Sequence, residues 1–216
     1  MVVVMNWLWR GLGRRGLVLG LIVALGGGGF WAGAEAWTRY RVYAEELLSS
    51  PPQEITIRVD MEKELDRLLN ERRRALGVAP LEISNLFKNM ARAQAMDMVL
   101  GNFVGHQSVR GDGFEARFEA FADGVTYQMR AENAARDRQK GPIDQVKAKR
   151  LFTQWLNSPS HNRTLQSANY LHVSTGAVAK GNHLYAVQVF WSTPMQCGGL
   201  NLCSTVTIGG HRVIKQ

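Results

Sequence analysis

Two apolar runs near the end of the chain constrain its fold most. Residues 171–179 and 183–191 are dense in Val, Tyr and Phe, and Lys180-Gly181-Asn182 joins them. β-Branched and aromatic side chains favour extended backbone, and a Gly-Asn pair permits a tight reversal between antiparallel strands. A hairpin alone is marginal in water and needs other elements over its faces. Helices are available upstream. Met61, Leu65, Leu68, Leu69 and Leu76 recur at helical spacing, with Asp60 as the expected N-cap and Gly77 as the stop. A second helix is predicted from Ser84 to residue 100, with Leu86, Met90, Ala93, Met96 and Met98 inside and Gly101-Asn102 at its end. Phe114, Phe118 and Phe121 mark a third. Pro142 falls in the expected first turn of a fourth, which carries Val146, Leu151, Phe152 and Trp155. Residues 205–208 and 212–214 read as further strands around Gly209-Gly210. Helices first and a hairpin last predict a mixed α+β layer fold.

The N-terminal part follows another pattern. No charged residue occurs over 16–34, about the length a transmembrane helix needs. Arg10, Arg14 and Arg15 precede this run, which puts the N-terminus on the cytoplasmic side and the bulk of the chain outside. Trp7 and Trp9 lie before it and Trp31 and Trp37 at its far end, where tryptophans mark both membrane interfaces; Trp9 to Trp31 spans roughly 33 Å of helix. Gly16 and Gly20, and likewise Gly29 and Gly33, are four apart, the spacing that lets membrane helices approach closely. A second transmembrane protein is therefore an expected partner, besides lipid. The rival reading is a cleaved signal sequence ending at Ala32-Gly33-Ala34.

The resulting organisation is a cytoplasmic or interfacial N-terminus over 1–15, an anchor over 16–36, a linker over 37–60, a main domain over 61–192 and an extension over 193–216. Ser49-Ser50-Pro51-Pro52 breaks the linker, and 54–59 alternates as a short strand would. Cys197 and Cys203 are the only cysteines, and in an exported domain they are expected to form a disulfide. The location implied is single-pass in the inner membrane, with the main domain periplasmic. Net charge is +8, which suits an anionic lipid, glycan or acidic partner. The basic residues are spread through amphipathic stretches and no helix-turn-helix, zinc-finger or RNA-binding signature occurs, so nucleic acid is not expected.

Three segments carry the chemistry: Asn102-Phe103-Val104-Gly105-His106, Ala131-Glu132-Asn133 and Trp155-Leu156-Asn157-Ser158-Pro159-Ser160-His161. Two imidazoles and a carboxylate can bind a metal, move a proton or grip a polar head group. Their order and surroundings resemble the CAP superfamily: cysteine-rich secretory proteins, antigen 5 and pathogenesis-related 1, with the SCP domain. Asn70-Glu71-Arg72 and Gln188-Val189-Phe190 extend the resemblance over about residues 62–191. Three positions depart from the family pattern: Ser158 where relatives often carry an acid, His172 where bacterial relatives often have Glu, and Gln94 where a His is common.

The resemblance implies an α-β-α sandwich in which His106, Glu132 and His161 meet in a cleft, with Asn133 and Gln188 in the same ligand-binding set. His106 and His161 are the candidate zinc ligands, though no cofactor is required. No Gly-x-Ser-x-Gly elbow or His-Glu-x-x-His helix is present, which weighs against an enzyme. The leading function is an anchored module that binds a lipid, glycan or peptide in the cleft. The alternatives are an accessory subunit of a membrane complex with an idle cleft, and a metal-assisted hydrolase.

Overall fold

The computed structural model describes residues 28–194, 205–208 and 211–214, with side chains over 39–194. In chain order its elements are α1 (Gly28–Ser49), β1 (Ile55–Ile57), α2 (Val59–Ala75), β2 (Glu82–Ile83), α3 (Lys88–Leu100), α4 (Phe114–Ala122), β3 (Met129–Asp137), α5 (Gln145–Asn157), α6 (Pro159–Gln166), β4 (His172–Lys180), β5 (His183–Ser192), β6 (Thr205–Ile208) and β7 (His211–Ile214).

The predicted hairpin is β4–β5, with Lys180 opposite His183 and Gly181 in the left-handed region at φ +57°. β3 pairs antiparallel with β5 along its whole length, and β1 and the short β2 flank β4, giving the order β1-β4-β5-β3 along the main path. Alternate β5 side chains enter opposite cores, as the two-residue period of a strand requires. Val187, Val189 and Trp191 pack with Phe87, Met90 and Phe118 under α1, α3 and α4. Ala186 and Phe190 pack with Leu65, Leu69, Leu151 and Trp155 under α2, α5 and α6. The fold is thus mixed, with helices on both faces of one sheet.

Several expectations are corrected. The stretch 37–60 is no linker: Tyr40 and Ala44 of α1 are buried against α3 and α4, and Tyr43 Oη donates to Asp97 at 2.5 Å. Tyr40, Tyr43, Ala44, Leu47 and Leu48 form one apolar stripe at helical spacing, so this helix belongs to the domain. Among the described residues no helix is long and apolar enough to cross a membrane. Most of the predicted span, including Gly16 and Gly20, lies outside the described residues, as do Cys197 and Cys203; Gly29 and Gly33 fall in the first turns of α1.

Helix α3 starts at Lys88, not at Ser84. Ser84 instead continues the sheet side, its N–H donating to Val173 O and its carbonyl accepting from Ser174 Oγ. α2 starts one residue before Asp60, which pairs with Arg58 in the first turn. The cap of α5 is Asp144, which accepts from Lys147 N at 3.0 Å, so Pro142 precedes the helix. The structure adds α6, which Pro159 opens at the first turn, where its missing N–H costs nothing. It also adds β3 as a strand. Residues Arg130 to Arg136 hold no β-branched side chain, and pairing with β5 overrides that weak propensity.

Candidate functional site

His106 sits in the loop that follows α3. The chain turns there through Gly101 and through Asn102, which adopts φ +52° and accepts from Arg136 and Arg138. A Cβ at 101 would lie 2.6 Å from the Phe103 ring, so glycine is what lets that ring fold back on the turn. Gln94 of α3 donates to Gly105 O at 2.8 Å and to Gln107 O at 3.1 Å, bracing the loop on both sides of His106.

Glu132, on β3, has a buried side chain held by Arg117 and His106. Arg117 of α4 reaches both carboxylate oxygens, at 3.0 and 2.9 Å, and His106 Nδ1 lies 2.9 Å from Oε1. Arg117 also donates to His106 O at 2.9 Å, so the same guanidinium fixes the histidine's backbone and its carboxylate partner. Burial pushes the Glu132 pKa up, but the charge of Arg117 and the hydrogen bonds from His106 and Arg117 outweigh it and hold the carboxyl below its ordinary range. Sequence reasoning misses Arg117, yet a signal is there: it shares a helical face with Phe114, Phe118 and Phe121, where a charge must find a buried partner. Tyr40 lies beside it, its phenol held protonated by burial.

The third residue comes from the opposite helical layer. His161 lies in α6, whose C-terminal end is clamped by the buried Arg73, which donates to Leu165 O at 2.9 Å and Ser167 O at 3.0 Å. Asn133, next to Glu132 on β3 but on the other sheet face, donates to His161 O at 3.2 Å. Burial lowers the His161 pKa, and a charge on nearby His106 lowers it further, so the imidazole is neutral at pH 7. His161 lines a depression of about 380 Å³ with Val104, Arg136, Trp155 and Ser158. His106, half-exposed, lines a neighbouring one of about 550 Å³ with Phe103, Gln107 and Val109. Among the described residues no three His, Cys, Asp or Glu side chains converge closely enough to hold a metal ion, so His106 and His161 alone would supply protein donors to zinc.

Gln188 stands corrected as a ligand contact. It is sealed inside the sheet opposite Asn133, and its amide reaches Thr175 at 3.3 Å. Thr175 in turn donates to Asp66 of α2, so a buried polar row crosses the sheet from Asp66 toward His161. Burial raises the Asp66 pKa to about 6, against the opposing hydrogen bond from Thr175. A carboxyl with a higher pKa folded than unfolded binds more protons in the folded state. Its contribution to stability is full below the unfolded value near 4 and is lost as pH rises toward 6. Asp66→Asn should therefore flatten the pH dependence between 4 and 6 and remove a loss of roughly 3 kcal/mol between pH 4 and pH 8. Urea titrations at pH 4 and pH 8 check this; an unchanged slope would show that Asp66 is solvated in the native state.

This layered fold carries a carboxylate–arginine–histidine cluster on one sheet face and a second histidine across the edge strand. Residues 67–192 match the cysteine-rich secretory protein family, CAP, and the chain belongs to that family. The uncharacterised protein YkwD of Bacillus subtilis strain 168 is 34% identical over 122 residues, which take in 56% of this chain but only 44% of YkwD. An outer surface protein of Borrelia burgdorferi shares the fold at a TM-score of 0.54 with 20% identity, over 62% of this chain and 94% of that one. An extracellular SCP-domain protein of Bacillus anthracis strain Ames aligns at 0.52 with 22% identity, over 62% of this chain and 41% of that one.

Proposed function

We propose that this CAP-domain protein is a binding module, tethered outside the cytoplasmic membrane by its N-terminal segment, that holds a polar group of a lipid, glycan or peptide between His106 and His161. The commitment of Glu132 carries the reading. Its side chain is buried and both its oxygens already engage Arg117 or His106, so it orients an imidazole and is shielded from a substrate. A general base or a metal ligand must be reachable by the group it serves. What remains available is the half-exposed imidazole of His106 and the neutral imidazole of His161, a pair suited to hydrogen bonding. Zinc is dispensable in this reading. The tether rests on the arginine-flanked run over 16–34, and the glycine spacings within 16–33 make a transmembrane partner part of the same proposal.

The test is an NMR titration of the full chain with three probes: anionic phospholipid bicelles, soluble peptidoglycan fragments and an octapeptide pool. One class is expected to move the ring resonances of His106 and His161 together. His106→Ala should weaken that binding at least tenfold, with EDTA without effect and the melting temperature nearly unchanged. If no probe class moves either ring, the binding reading falls.

A further inference from the structure

The geometry points to β3 as the docking strand: we propose that the groove beside it takes an extended acidic peptide, which adds to the sheet edge as a further strand. This rests on the binding reading above and names its ligand class. β3 ends the strand order and is nine residues long, whereas β1 at the other end has three. Its pairing to β5 steps one residue to one residue from Met129–Ser192 to Asp137–Leu184, with no bulge to twist the edge away. It contains no proline. Among the described residues no backbone hydrogen bond from a helix or loop reaches it. Natural sheets seldom leave so long an edge bare, and a bare edge is a template for strand addition.

The surroundings fit that use. Ala134 and Ala135 line the groove with their small side chains turned into opposite cores, so the strand offers mainly backbone there. Val104 stands on one side and Gln154, Trp155, Ser158 and His161 on the other. Trp155 lines the groove, and its Nε1–H has no acceptor among the described residues. A backbone carbonyl of an added strand can supply that acceptor. Arg136 lines the groove and no carboxylate does, so side-chain carboxylates on alternate ligand residues meet a cation there.

The experiment pans an octapeptide library with Glu at alternate positions against the full chain, with a Lys library as the counterpart. The Glu library should enrich, and a labelled enriched peptide should bind saturably by fluorescence anisotropy. N-methylation of its alternate backbone amides should weaken binding at least tenfold, as should Arg136→Glu; amides within 131–136 should exchange at least tenfold more slowly in the complex. Equal binding of the N-methylated peptide overturns strand addition, and equal enrichment of the Lys library overturns the acidic assignment. If no peptide enriches while lipid or glycan moves the His106 ring, the peptide assignment fails and the binding reading stands; if nothing moves that ring, both fail.

Discussion

Replacing Arg117 by methionine is expected to destabilise the domain by about 3–5 kcal/mol, the usual cost of leaving one partner of a buried ion pair without the other. The guanidinium is fully buried and so is the Glu132 side chain. Methionine fills much of the same volume, so the loss is electrostatic rather than a cavity. Glu132 would keep only the half-exposed His106, and its carboxyl would rise above its ordinary range instead of lying below it. For a domain of this size the melting temperature should fall by roughly 6–20 °C. The loop should loosen as well, because Arg117 also holds His106 O. The second variant decides the cause. Arg117→Met combined with Glu132→Leu removes the buried charge altogether and should recover most of the lost stability while abolishing ligand binding. If the single variant is as stable as the parent, Glu132 is solvated and does not orient His106 in the way described.

The hairpin, four of the helices and the three motif segments are legible in the sequence, because each has a local signature: β-branched runs around Gly-Asn, apolar residues at helical spacing, or a histidine in a distinctive neighbourhood. What stays hidden is set by long-range pairing. β3 carries Arg, Glu, Asn and Ala and becomes a strand only because β5 offers it nine partners. α1 is overshadowed by the uncharged run before it, although the stripe from Tyr40 to Leu48 is readable. At the site, His106 and Glu132 lie 26 positions apart and meet at 2.9 Å. Arg117, which holds them, carries no motif and betrays itself only by its place among phenylalanines. Asn133 and Gln188 look like ligand contacts because they neighbour the motif residues. A strand alternates, so one step from Glu132 turns Asn133 to the other face, into the row that ends on Asp66.

Gly176→Ala is the other substitution expected to have a large effect. A Cβ at 176 would stand 2.3 Å from Arg92 N and 2.4 Å from Ala91 C, both backbone atoms of α3. No rotamer change relieves a clash with backbone, so the helix must lift off β4. Ala91 and Ala95, buried and four apart on one face of α3, keep that contact close along the helix. Overpacking of this kind costs about 1–3 kcal/mol where side chains can adjust, and more where main chain must move, so a loss of at least about 3 kcal/mol is expected. The consequence reaches the site through Gln94, which rides on α3 and braces Gly105 and Gln107 around His106. Gly105→Ala is the matched control. Its Cβ would meet only the Phe103 ring at 3.5 Å, an ordinary contact, so stability should change by no more than about 0.5 kcal/mol. Urea denaturation of both variants, with the His106 ring resonance as a second readout, separates the two cases. A Gly176→Ala protein with parental stability and an unmoved His106 resonance would mean that α3 does not set the position of the His106 loop.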